Sequence, residues 1–137
     1  MYRCNMSDIE TTTVSEEGYA CTSHVGDFDL QIDATDETGP NPNAALVATY
    51  ASCFIPAFRV GASQRGVDDL GTLQIDASAD LDDEDDLAAI AFDLHVEADL
   101  DGDAVDEIVE RAEGICHVHA ALRDELQADV RVHDGAF

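Results

Sequence analysis

Apolar residues recur along this chain with two different spacings, and the changes from one to the other mark its elements. DFDLQIDA, residues 27–34, puts Phe28, Leu30 and Ile32 at every second position, the period of a strand with one buried face. GYACTSHV (18–25) follows a turn-like Glu17-Gly18, and SDIETTTVS (7–15) alternates weakly. Residues 7–34 thus predict a three-stranded β-meander. ATDETGP (34–40) is made of turn residues and runs into Asn41-Pro42, where Asn can cap a helix and Pro can take its first position. The predicted helix continues to about Arg65, with Gly66 as its left-handed stop.

That helix is apolar all round. Ala45, Val47, Ala48, Tyr50, Ala51, Phe54, Ile55, Ala57 and Phe58 surround its axis instead of forming one stripe, which predicts burial on most sides. A small chain can hardly bury such a helix alone, so a partner subunit is the expected cover. TLQIDASADL (72–81) and LAAIAFDLHVEADL (87–100) then read as a long antiparallel pair, with Ile90, Phe92, Leu94 and Val96 on one face and the acidic run DDEDD (82–86) as a solvated turn. Residues 103–114 space Ala104, Val105, Ile108, Val109 and Ala112 as an amphipathic helix. HVHAALRDEL (117–126) predicts a short helix and ADVRVHD (128–134) a last strand. The order is βββ-α-ββ-α-α-β, in a single α+β domain over residues 1–137.

Composition narrows the partners. In 137 residues, 31 acids face 6 bases for a net charge of −25, so nucleic acid and anionic membrane surfaces are repelled. All six bases are arginine, there is no lysine, and aspartate outnumbers glutamate. This is the profile of halophilic cytosolic proteins: near 1 M salt the Debye length falls to about 3 Å and repulsion between surface carboxylates is largely screened. No basic segment precedes a long apolar stretch, and no apolar run is expected to reach the roughly 18 residues that span a bilayer. A cytoplasmic protein without membrane contact is the expectation.

Four cysteines, Cys4, Cys21, Cys53 and Cys116, form no C-x-x-C pair, and an intracellular setting argues against a structural disulfide framework. Cys53 lies in the middle of the long helix, where a free thiol often serves as a small core residue. In an interface pocket the same thiol is shielded from bulk reductants and open to an apolar ligand. Pro56 has no N–H for the Ser52 carbonyl, a local irregularity one turn past the thiol. Cys116 and His119 share a helix face but supply only two convergent ligands. Zinc would need His24, His95 or a second subunit, and no metal is expected. Asp99, Asp101, Asp103 and Glu110 imitate a calcium loop, yet the glycine falls at 102, away from the sixth position. A solvated acidic turn is the reading there.

Several stretches together carry a family resemblance: Asn41-Pro42 opening the helix, Ala51-Ser52-Cys53-Phe54 inside it, Gly66 after it, and Cys116-x-Val118 before Ala120-Ala121-Leu122. With the element order from about Phe28 to Val132, they make the chain resemble the OsmC/Ohr family (osmotically inducible protein C-like, organic hydroperoxide resistance-like) of thiol-dependent hydroperoxidases. The resemblance implies an intertwined homodimer, with antiparallel sheets packed on long buried central helices. It further implies Cys53 as the peroxidatic cysteine and Cys116 as the resolving one, with a sulfenic acid and then a disulfide between them. The substrate would be an organic or inorganic hydroperoxide in stress defence, the reductant an external dithiol, and no cofactor would be needed.

The chain departs from the family at the activating groups. Family members hold the thiolate with an arginine ion-paired to a glutamate. Twenty and ten residues before Cys53, this chain has Asp33 and Asn43. The family's C-P-V-S is Cys116-His117-Val118-His119 here. Arg59, Arg111, Arg3 of a neighbouring subunit, His117 and His119 are the residues that could stand in, each also readable as a surface or helix position. A second function follows: a catalytically weakened member that binds a small apolar ligand at the dimer interface.

Overall fold

Alternation at every second residue becomes strand pairing in the computed structural model, which describes residues 7–137. Arg3 and Cys4, named above, lie outside the described residues. The chain divides into two compact units, one ending at Ala45 and the other running from Leu46 to Phe137.

The first unit is the meander. Strands β1 (Thr11–Val14), β2 (Ala20–Val25) and β3 (Phe28–Asp33) pair antiparallel in that order. Val25 faces Phe28, Ser23 faces Leu30 and Cys21 faces Ile32, so the β3 apolar positions share one face with Cys21. Within one chain that face is open, with Phe28 75% and Leu30 51% exposed. The loop after β3 is closed by one carboxylate. Asp33 is buried and accepts from the backbone N–H and hydroxyl of Thr35 (2.8 and 2.7 Å) and of Thr38 (3.0 and 2.9 Å). The Asn41 side chain accepts the Ala44 N–H at 2.8 Å, the cap expected of it.

Helix α1 (Pro42–Gln64) carries the chain into the second unit, where strands β4 (Leu73–Leu81), β5 (Leu87–Val96) and β6 (Asp129–His133) form a sheet in that order. Pairing is antiparallel between β4 and β5 and parallel between β5 and β6. Helices α2 (Gly102–Ile115) and α3 (His117–Ala121) and a 3₁₀ turn at Asp124–Leu126 fill the crossover from β5 to β6. The central strand β5 buries Leu87, Ile90, Phe92, Leu94 and Val96. Phe92 meets Tyr50 edge-on at 4.7 Å and Phe54 at 5.6 Å, joining α1 to the sheet. Gly61 admits α2: a Cβ there would lie 3.1 Å from the Arg111 Cβ and 3.2 Å from the Ile108 carbonyl.

Within one chain α1 buries one stripe (Tyr50, Phe54, Ala57, Phe58, Gly61 and Ala62) and leaves Leu46 and Val60 exposed, on the sides for which a partner subunit is the expected cover. Two expectations need correction. The single helix expected over 117–126 is two pieces. Leu122 and Arg123 are extended, and the Arg123 guanidinium donates instead to the Leu87 carbonyl at 3.0 Å. Finally, α1 is by length and composition long and apolar enough to cross a bilayer. Alanines and small residues separate its large side chains, which hid that length in the sequence, and its Tyr50 and Phe54 contacts with Phe92 are those of a core helix.

Candidate functional site

Cys53 sits three residues after Tyr50 on α1, beside Phe54, whose buried ring fixes that turn on β5. It is half-buried. Cys116 is 1% exposed and occupies the corner between two helices. Its N–H still donates to the Ala112 carbonyl of α2 at 2.8 Å, while its sulfur accepts the His119 N–H at 3.4 Å and caps α3. Extended backbone at this residue (φ −68°, ψ 113°) turns the chain and aims the first N–H groups of α3 at Cys53. The Cys53 sulfur faces the backbone N–H of Val118, the Cys116 thiol and the backbone N–H of His117. The two expected site residues are therefore brought together.

These surroundings set which thiol ionises first. Burial pushes Cys53 up, but the Val118 N–H, the Cys116 S–H and the His117 N–H stabilise its thiolate, and the balance falls below the ordinary 9.0. Burial also pushes Cys116 up. The His119 N–H offsets part of this, the adjacent Cys53 sulfur raises it further, and Cys116 ends above 9.0. Of the two thiols, Cys53 is therefore the one that gives up its proton more readily.

Tyr50 closes the arrangement from below. Its ring is fully buried and its oxygen accepts the Ala128 N–H at 2.9 Å. The hydroxyl lies 2.6 Å from His119 Nδ1. Burial holds the phenol above its ordinary value, so it keeps its proton.

Among the described residues of one chain, none of Arg59, Arg111, His117 and His119 sits on the thiol as a side-chain cation. Arg59 donates to the Gly71 carbonyl at 2.9 Å, and Arg111 pairs with Glu107 at 2.9 Å. His119 is held by Tyr50, and His117 contributes its backbone N–H. The Asp33 carboxylate, which stands at one of the family's two activating positions, is committed to its own loop. The Thr35 hydroxyl and N–H and then those of Thr38 outweigh burial and hold it well below the usual carboxylate range. Asn43 lies in the first turn of α1. Cys21 is a half-buried free thiol on β2. Among the described residues no three of His, Cys, Asp and Glu converge as a metal-ligand set. Sequence reasoning missed Tyr50 and the α3 amides. Tyr50 at three residues before Cys53 and His119 at three after Cys116 were the available signal, since such spacing shares a helix face.

This chain belongs to the OsmC-like protein family, whose family model matches residues 34–131. A Haloferax volcanii protein described as uncharacterized is 74% identical over 132 residues, covering 96% of this chain and 100% of the other. Among solved structures, the OsmC-like protein of Mycoplasma pneumoniae superposes with a TM-score of 0.79 at 18% identity, over 93% of this chain and 96% of that one. The organic hydroperoxide resistance protein OhrB of Bacillus subtilis gives 0.69 at 20% identity, over 93% and 100%. At these identities the likeness establishes the α+β fold that the two structures share with this chain.

Proposed function

We propose that the chain is a thiol-dependent hydroperoxide reductase acting as a homodimer in a salt-rich cytoplasm. The observation that carries the proposal is the pairing of Cys53, held below its ordinary pKa by the Val118 and His117 amides and the neighbouring thiol, with a protonated Cys116. The Cys53 thiolate attacks one oxygen of the hydroperoxide and the O–O bond breaks. The alkoxide leaves and takes a proton from solvent, giving the alcohol and a Cys53 sulfenic acid. Cys116 sulfur then attacks the sulfenic sulfur. Its proton and the departing hydroxide form water, and the Cys53–Cys116 disulfide remains. An external dithiol reduces the bridge by exchange and leaves oxidised. No metal or organic cofactor enters these steps.

The amides of α3 take the place of the family's arginine: they supply positive partial charge without a cation. The open faces of β3 and of α1, with Phe28, Leu30, Leu46 and Val60 exposed, support a second copy as cover. The acid excess and the Haloferax relative support the salt-adapted setting. Replacement of the Arg–Glu pair by Asp33 and Asn43 favours the second reading, an OsmC-fold binder of small apolar molecules.

The test is consumption of an organic hydroperoxide in molar KCl with a dithiol present. Wild type is expected to turn over, and Cys53→Ser to fall to the rate of the dithiol alone. A wild-type rate equal to that of Cys53→Ser removes the enzyme and leaves the binder.

A further inference from the structure

We propose that Tyr50 and His119 are positioning residues: the hydrogen bond between them fixes α3 against α1 and sets how readily Cys53 and Cys116 close into a disulfide. The inference rests on the reading of Cys53 and Cys116 as a redox pair and deepens it. Helix α3 is five residues long and buries none of its own side chains. Val118 alone of its apolar side chains packs, half-buried, against the core, so polar ties carry much of its attachment. Three of them converge on His119. Its N–H caps onto Cys116 Sγ at 3.4 Å, its carbonyl accepts from Gln127 Nε2 at 3.3 Å, and its ring Nδ1 meets the Tyr50 hydroxyl at 2.6 Å.

Only the last of these three reaches α1. Tyr50 is suited to receive it, because its ring is fully buried, packs edge-on against Phe92 at 4.7 Å and has its oxygen fixed by the Ala128 N–H. The Tyr50–His119 bond also runs between the same two segments as the thiol pair, since Tyr50 precedes Cys53 by three residues and His119 follows Cys116 by three. A disulfide tolerates little error in the separation and direction of its Cβ atoms. A strap one turn away from both sulfurs therefore controls their effective concentration and the aim of the His117 and Val118 amides.

The readout is the equilibrium between the thiol pair and its disulfide in dithiothreitol redox buffers at molar KCl, followed by mass spectrometry of the linked peptides. His119→Ala is expected to make the disulfide about tenfold easier to reduce, a potential roughly 30 mV less negative. His119→Asn, whose side-chain amide can take the place of Nδ1 in the bond to Tyr50, is expected to return to within about threefold of wild type. Tyr50→Phe keeps the ring and loses the hydroxyl, and it should follow His119→Ala. A His119→Ala potential within twofold of wild type, or His119→Asn no better than His119→Ala, overturns the strap while leaving the redox pair intact. Absence of any Cys53–Cys116 disulfide in wild type overturns both.

Discussion

Phe92→Ala probes the packing on which the site is mounted. The ring is 1% exposed and touches Tyr50 at 4.7 Å and Phe54 at 5.6 Å, both edge-on. Those residues flank Cys53 on α1, so one side chain on β5 supports both sides of the thiol-bearing turn. Removing a buried phenylalanine ring costs about 3–5 kcal/mol, of which each edge-to-face pair accounts for roughly 0.5–1.5 kcal/mol. Total stability for a domain is about 5–15 kcal/mol, so a large share is lost. For a chain of this size the loss corresponds to a Tm lower by roughly 10–15 °C. Far-UV circular dichroism melts in molar KCl, at one fixed protein concentration because association contributes, read this directly. Phe92→Leu, which keeps most of the volume, should cost less than about 1.5 kcal/mol. A Phe92→Ala variant that melts within 2–3 °C of wild type, a loss below about 1 kcal/mol, refutes the claim that this ring anchors α1.

Gly61→Val should destabilise by about 1–3 kcal/mol, since even a Cβ there lies 3.1 Å from Arg111 and 3.2 Å from the Ile108 carbonyl; an unchanged denaturation midpoint contradicts the close α1–α2 approach. Transfer from molar to dilute KCl lengthens the Debye length from about 3 to about 10 Å and should lower the Tm of a chain carrying −25; equal melts in both buffers remove the salt-adaptation argument. Iodoacetamide labelling against pH should give Cys53 a midpoint below 9.0 and Cys116 one above it, and the reverse order would contradict Cys53 as the more readily ionised thiol. Asp33, Asp93 and Glu107 are all held below their ordinary values, by Thr35 and Thr38, by His133, and by Arg111 and Arg65 respectively. A depressed carboxylate contributes stability that is complete above its unfolded value near 4 and is lost as pH falls below it, so melts in molar KCl should weaken from about pH 4 downward, and a flat profile from pH 5 to 2 counts against these contacts.

Period-two alternation in β3 and β5 and the three- and four-residue spacing of Ala104, Ile108 and Ala112 were readable because each element has one dry face, and a dry face imposes its period on the sequence. The Asn41 cap and the Gly66 stop, at φ 90°, were readable because those conformations admit few residue types. Burial of α1 was not, because residues apolar all round give no phase; within the chain only its Tyr50–Phe54–Phe58 stripe is covered. The cysteines could be paired through family resemblance, but the groups acting on them could not. A search for a lost arginine looks among side chains, whereas the groups facing Cys53 here are the backbone amides of His117 and Val118, which every residue but proline possesses. The Tyr50–His119 bond joins positions 69 residues apart, and nothing local in the sequence brings them together.

The most direct test is to add one equivalent of organic hydroperoxide to the reduced protein in molar KCl and map every cysteine by peptide mass spectrometry. The account predicts a Cys53–Cys116 disulfide as the first product, replaced in Cys116→Ser by a Cys53 sulfenic acid that dimedone traps. Oxidation of Cys21 ahead of Cys53, or a wild-type Cys53 that stays reduced, would contradict it.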